Sequence, residues 1–170
     1  MFHAFDNPGP GQPLVRADWM ALLARAPLEL LESALGPQAT HTPRWLRAPE
    51  TGLMMVQGRA GGTGERFNLG EVTVTRCALR LDDTSEQAGV GVAYVLGRSH
   101  RQAQLAALAD ALLQDPSQQP ALDAKLLAPV RQHLARLRAQ RAERARSTKV
   151  DFFTVARESG ASSDDDEEDA

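Results

Sequence analysis

Two arginines flank a glycine cluster in the stretch from Gly58 to Gly70, and no other part of the chain concentrates so much potential ligand chemistry. Arg59 and Arg66 carry forked donors that suit phosphate or carboxylate. Between them Gly61, Gly62 and Gly64 tolerate positive φ and carry no Cβ, so backbone N–H groups there can converge on an anion, with the Thr63 hydroxyl beside them. Arg59, Thr63 and Arg66 are therefore the candidate phosphate-binding side chains, and Gly61, Gly62 and Gly64 the candidate loop backbone. The same Gly-Gly-Thr-Gly between two β-like runs is also what a simple hairpin loop looks like, so both readings stand. A Walker P-loop is excluded, because Glu65-Arg66-Phe67 replaces the Lys-Ser/Thr pair that would open a helix. A dinucleotide fingerprint fails for the same reason: no helix N-terminus follows.

Other reactive types are sparse. Cys77 is the lone cysteine and sits in an apolar run, which predicts a buried thiol and a reducing compartment. His100 falls in the first turn of an expected helix and reads as exposed, with no Ser, Cys or carboxylate placed beside it. No Cys/His/Asp/Glu grouping has metal-ligand spacing, and one cysteine cannot hold an iron-sulfur cluster. No catalytic residue and no metal site are assigned. From Arg131 to Lys149 seven basic residues face only Glu143, a stripe that reads as a solvated helix face or as a surface for phosphates or an acidic protein. Without interleaved aromatic residues, direct nucleic-acid binding is disfavoured.

These groups need elements to position them. The chain has 170 residues with 42% hydrophobic content, enough for one core. No apolar run reaches the roughly 20 residues that span a bilayer, and the N-terminus does not read as a signal peptide, so a cytoplasmic protein is expected. Six of the 22 acidic residues form the run Asp164–Asp169; the remainder sets 19 basic against 16 acidic side chains. The predicted organisation is a flexible leader over 1–15, a single α+β domain over 16–149, a docking segment over 150–158 and a disordered acidic tail over 159–170.

Within that domain a helix is expected from an Asp18 N-cap with Trp19, Leu22 and Leu23 on one face. A second helix uses Pro27 as its first residue, buries Leu28, Leu31 and Leu35 and ends at Gly36-Pro37. Trp19 and Trp45 read as packing residues. Leu53–Gln57, Phe67–Leu81 and Val90–Leu96 read as strands joined by short links, hence antiparallel. Asn68-Leu69-Gly70 offers either a bulge or a break into two strands. Ser99 and Gln102 read as a capping box opening a helix with Leu105, Leu108, Ala109 and Leu112 on its apolar face. The last helical region starts near Pro120, is kinked or restarted at Pro129, and loses its apolar stripe after Leu137. Val150, Phe152 and Phe153 then either fold back or dock on a neighbouring subunit. The fold class is α+β: an antiparallel sheet core with an N-terminal helical hairpin and C-terminal helices, ending in a partner-binding arm.

Taken in order, Arg47-Ala48-Pro49-Glu50-Thr51-Gly52-Leu53, Gly61-Gly62-Thr63-Gly64-Glu65-Arg66-Phe67, Thr73-Val74-Thr75-Arg76, Gly97-Arg98 and Val150-Asp151-Phe152-Phe153-Thr154 resemble the PhnG subunit family of the bacterial carbon-phosphorus lyase system. The resemblance runs from about Asp18 to Arg157. It departs at the extended leader, at the acidic tail, and at Ser99 and Gln102, where family members carry an acidic residue and a histidine; any role of that histidine does not carry over. The resemblance implies a non-autonomous subunit acting with PhnI, PhnH and PhnL type subunits to displace adenine from ATP by methylphosphonate. The product is ribose 1-methylphosphonate 5-triphosphate, and the radical step belongs to a PhnJ type subunit. ATP is then a substrate of the complex, and this chain carries no cofactor. A purely structural adaptor without substrate contact is the alternative.

Overall fold

The computed structural model describes residues 15–36, 43–81 and 89–149. The expectations for the leader before Val15, for the docking segment with Val150, Phe152 and Phe153, and for the acidic tail lie outside the described residues. Two short helices, α1 (Arg16–Leu23) and α2 (Leu28–Leu35), precede a three-stranded antiparallel sheet of β1 (Arg44–Arg59), β2 (Arg66–Arg80) and β3 (Val90–Leu96), in the spatial order β1-β2-β3. Helix α3 (His100–Leu113) follows. A longer helical region is then built from α4 (Gln119–Leu122), a π turn over Asp123–Leu127 and α5 (Ala128–Ser147). The α+β class with an antiparallel sheet and flanking helices is what the strand and helix periodicities predict.

Helix α3 is the centre of the core. It lies on β2 and β3, with α1, α2 and α4 against its other sides, so every residue from Leu105 to Leu113 is buried rather than one face of the helix. Its alanines make this close approach possible, and so does Gly91 on β3. A Cβ placed on Gly91 would lie 1.8 Å from the Ala107 carbonyl oxygen. Facing the helix from the sheet are Thr75, Cys77 and Leu79 of β2 with Gly91, Ala93 and Val95 of β3. Val74, on the opposite face, is buried as well.

Several boundaries differ from the sequence reading, each for a local reason. Helix α1 begins at Arg16 behind Val15, and Asp18 lies in its first turn rather than capping it, where a carboxylate still complements the helix dipole. Pro27 is the N-cap of α2 rather than its first residue. Strand β1 starts at Arg44, well before Leu53, because register shifts around Leu46 and around Ala48-Pro49 break the alternation that would have revealed it. A proline is tolerated there because β1 is an edge strand. Asn68-Leu69-Gly70 is a bulge within one strand: Val56 pairs with Gly70 and Gln57 with Asn68, leaving Leu69 unpaired. The expected capping box is half formed. Ser99 accepts from the Gln102 backbone N–H at 3.2 Å, but the Gln102 side chain instead donates to the Ala26 carbonyl at 2.9 Å, closing the turn between α1 and α2. Pro129, which lacks an N–H, sits in the first turn of α5 directly after the π turn.

Two parts extend beyond the core. Strand β3 pairs with β2 only from Val74 to Arg80, so β1 and β2 continue past it as a two-stranded arm with a span of about 23 Å for the seven residues Leu53–Arg59. At the other end of the chain, Val130 is the buried residue of α5, Leu134 packs on the core, and residues 138–149 are exposed.

Candidate functional site

At the tip of the arm Arg59 and Arg66 are directly opposed in register. Gly61 and Gly62 take φ of 59° and 80°, the left-handed conformation that turns the chain back within a short 3₁₀ turn, Ala60–Gly62. The N–H groups of Thr63 and Gly64 both point inward to the Ala60 carbonyl. The Arg59 guanidinium donates to the Gly64 carbonyl at 2.8 Å and so braces the loop, while Arg66 is exposed with no hydrogen-bond or ion-pair partner among the described residues. The structure thus brings Arg59 and Arg66 together across the hairpin and places Thr63 in the turn between them. Of the two arginines, Arg66 is the one with its full side-chain donor set available among the described residues.

A second polar constellation sits at the base of the arm, and it is assembled from three of the segments that carry the family resemblance. On one face of the sheet Glu50 pairs in register with Arg76, and Arg76 with Tyr94. Glu50 Oε1 accepts from Arg76 Nε at 2.7 Å and from Arg47 Nη1 at 3.0 Å. Two guanidinium groups on one carboxylate leave an excess of positive charge at this exposed edge, and the Arg76 hydrogen bond holds the Glu50 carboxyl below its ordinary range. The next rung, Thr51 opposite Thr75, faces α3. Thr75 Oγ1, fully buried, donates to the Gly97 carbonyl at 2.8 Å. Thr51 Oγ1 lies 3.2 Å from Thr75 Oγ1 and 3.1 Å from His100 Nε2. Gly97 turns the chain from β3 toward α3 with φ of 95°, which presents that carbonyl.

The sequence reading treated His100 as an isolated helix residue; its partner comes from β1, 49 positions earlier. The missed signal was the recurrence of Thr at 51 and 75 in the motif segments, and only the strand register shows that they meet. Asp110 was missed too. It is fully buried on α3, where it accepts from Arg16 Nε and Nη2 at 3.2 and 2.7 Å, Trp19 Nε1 at 2.8 Å and the Val92 N–H at 2.9 Å. A single carboxylate inside the apolar run Leu105–Leu113 was the available clue. With its acceptor sites filled, Asp110 ties α1, α3 and β3 together and offers no capacity for substrate. Trp19 is accordingly a packing residue, whereas Trp45 lies at the surface of β1. Cys77 is buried as expected and donates through Sγ to the Ala103 carbonyl. Among the described residues no grouping of His, Cys, Asp and Glu could hold a metal ion, and no helix is long and apolar enough to cross a membrane.

Apolar side chains cover the arm between these two polar centres. Leu53, Met54, Met55, Phe67 and Leu69 are each 41–64% exposed, and Tyr94 and Leu96 add to the surface on β3.

Comparison with known proteins places this geometry in context. A family model described as phosphonate metabolism protein PhnG matches residues 15–158. A relative from Rhizobium meliloti (strain 1021), named alpha-D-ribose 1-methylphosphonate 5-triphosphate synthase subunit PhnG, is 41% identical over 158 residues, which cover 89% of this chain and 93% of the relative.

Proposed function

The chain belongs to the PhnG family, and from that membership we propose that it serves phosphonate catabolism as a subunit of an alpha-D-ribose 1-methylphosphonate 5-triphosphate synthase. The reaction assigned to the assembly is displacement of adenine from ATP by methylphosphonate. This subunit is non-autonomous, with PhnI, PhnH, PhnL and PhnJ type subunits as its partners, ATP as a substrate of the whole complex, no cofactor of its own and the cytoplasm as its compartment.

The observation that carries the subunit reading is the two-stranded arm. An isolated two-stranded ribbon is marginal in water, and this one bears large apolar side chains, Leu53, Met54, Met55, Phe67 and Leu69, that stand exposed. Such a surface is stable and soluble when another polypeptide covers it. Displacement at the anomeric carbon needs positioned phosphates and stabilised charge as the base leaves. Arg66, exposed at the tip with Arg59 and Thr63 beside it, has the donors for that positioning role.

The test is co-expression with a PhnI type subunit, followed by purification and an assay of ATP-dependent methylphosphonate transfer with and without this chain. Joint purification and a transfer reaction that needs the chain are expected. Arg66→Ala should then leave assembly intact and lower turnover about 10-fold, a typical cost for one charged hydrogen-bond donor. Unchanged turnover with intact assembly would favour an adaptor without substrate contact. Complete transfer in the absence of the chain would overturn the reading.

A further inference from the structure

The hydrogen bonds at the base of the arm have a direction that the atoms themselves impose. A backbone carbonyl only accepts, so the single Thr75 hydroxyl hydrogen is committed to Gly97. Thr51 must therefore donate its hydrogen to Thr75, and with that hydrogen used the Thr51 oxygen can only accept from His100 Nε2–H. In its neutral form the imidazole is therefore held with its proton on Nε2, and the lone pair of Nδ1 is left unused among the described residues. Burying a hydroxyl costs free energy unless it is hydrogen-bonded, and valine would fill the Thr75 position with the same shape. Thr75 is nevertheless a fully buried hydroxyl at the foot of this relay.

From this geometry we infer that His100 is a substrate-binding residue of the assembled synthase, its Nδ1 accepting a hydrogen bond from an O–H group of the anionic substrates. The inference rests on the synthase reading above. Its ligand is an O–H donor: the imidazole supplies the acceptor, and Arg98, two positions before it in sequence, adds positive charge at the same turn, while Arg101 is engaged by Glu32 and the Arg47–Glu50–Arg76 row points from the opposite face of the sheet. The ribose hydroxyls of ATP and the acid P–O–H of a phosphonate both have that chemistry. Thr51 and Thr75 are positioning residues that act through the tautomer. An apolar contact with another subunit is the role of the arm; this polar rung has no apolar surface to offer one.

Two measurements test the proposal. Long-range ¹⁵N correlation spectra of the full-length chain labelled at histidine should show His100 in the Nε2–H form, and Thr75→Val should release it to a mixture of tautomers. A wild-type His100 found in the Nδ1–H form or already mixed would overturn the proposal without reference to activity. In the reconstituted complex, His100→Phe should raise KM about 10-fold, one hydrogen bond converted at 1.4 kcal/mol per decade, with kcat little changed. Thr75→Val should raise it by a smaller factor in the same direction. A rise confined to ATP, together with 2′- or 3′-deoxy-ATP penalised in the wild type but not in His100→Phe, identifies a ribose hydroxyl; a rise confined to methylphosphonate identifies the P–O–H. Unchanged KM, or weakened subunit binding in place of a KM effect, overturns the assignment. If the wild-type chain does not support the reaction at all, the synthase reading fails and this inference falls with it.

Discussion

Cys77 illustrates how burial sets the chemistry of a single residue. Desolvation pushes its thiol up to about 11 from 9.0, and the Sγ hydrogen bond to Ala103 gives the neutral form a partner. The unfolded chain sheds that proton first, so the contribution to stability is intact below pH 9.0 and is lost as pH rises through about 11. Native protein should resist a thiol-labelling reagent near neutral pH and react on unfolding. Between about pH 8 and pH 10.5 its urea midpoint should fall more steeply than that of Cys77→Ala. Rapid labelling of the native state would refute the buried assignment. Glu50 shows the opposite sign: its carboxyl is held down by Arg76, so the ion-paired row is intact above the ordinary carboxylate range and comes apart as pH falls through the lowered value. The exposed position of the row keeps its weight in stability small, which suits a recognition surface better than a structural one.

At the scale of elements, the decisive contact is between α3 and β3. Helix–sheet distance is set by what stands between the backbones, and at Gly91 nothing does. Gly91→Ala places Cβ within contact distance of backbone atoms that cannot move independently, namely the carbonyl of Ala107 at 1.8 Å and its carbon at 2.8 Å. The expected cost is about 3 kcal/mol or more, at the upper end of overpacking effects, read as a lowered urea midpoint with unchanged slope. Gly52→Ala, where a Cβ meets nothing within 4 Å, serves as the control and should stay within about 0.5 kcal/mol of the wild type. Equal stability of the two variants would mean that α3 does not sit this close to the sheet. The half-formed capping box belongs to the same scale. Gln102 was drawn away from Ser99 because the Ala26 carbonyl at the turn between α1 and α2 needed a donor, and that demand comes from another element.

For the molecule as a whole, the arm and the end of the chain are the two surfaces expected to meet partners. Leu53 and Met55 are 64% and 47% exposed, so replacing both with Asp should leave the core folded. If the arm is an interface, the double substitution should weaken binding to a PhnI type subunit by about 2–4 kcal/mol, the scale of interfacial hot spots, as measured by calorimetry on purified chains. Truncation before Val150 provides an independent arm of the same experiment and reports on Phe152 and Phe153 as anchors. Unchanged affinity in the first case would remove the arm from the interface, and in the second would remove those aromatic residues.

Much of this architecture could be read from residue order. Alternating apolar runs joined by Gly-rich and Asp-rich links required antiparallel strands, heptad-like leucine spacing required the helices, and the loss of that spacing after Leu137 foretold the exposed end of α5. These are local properties, carried by neighbours a few residues apart. What only the tertiary structure decided lies between distant residues: the entry of β1 at Arg44 through two register shifts, the burial of Asp110 among donors from α1 and β3, and the meeting of Thr51, Thr75, Gly97 and His100. Pairing register and the approach of α3 to the sheet fix those meetings, and neither is encoded in the periodicity of any single segment.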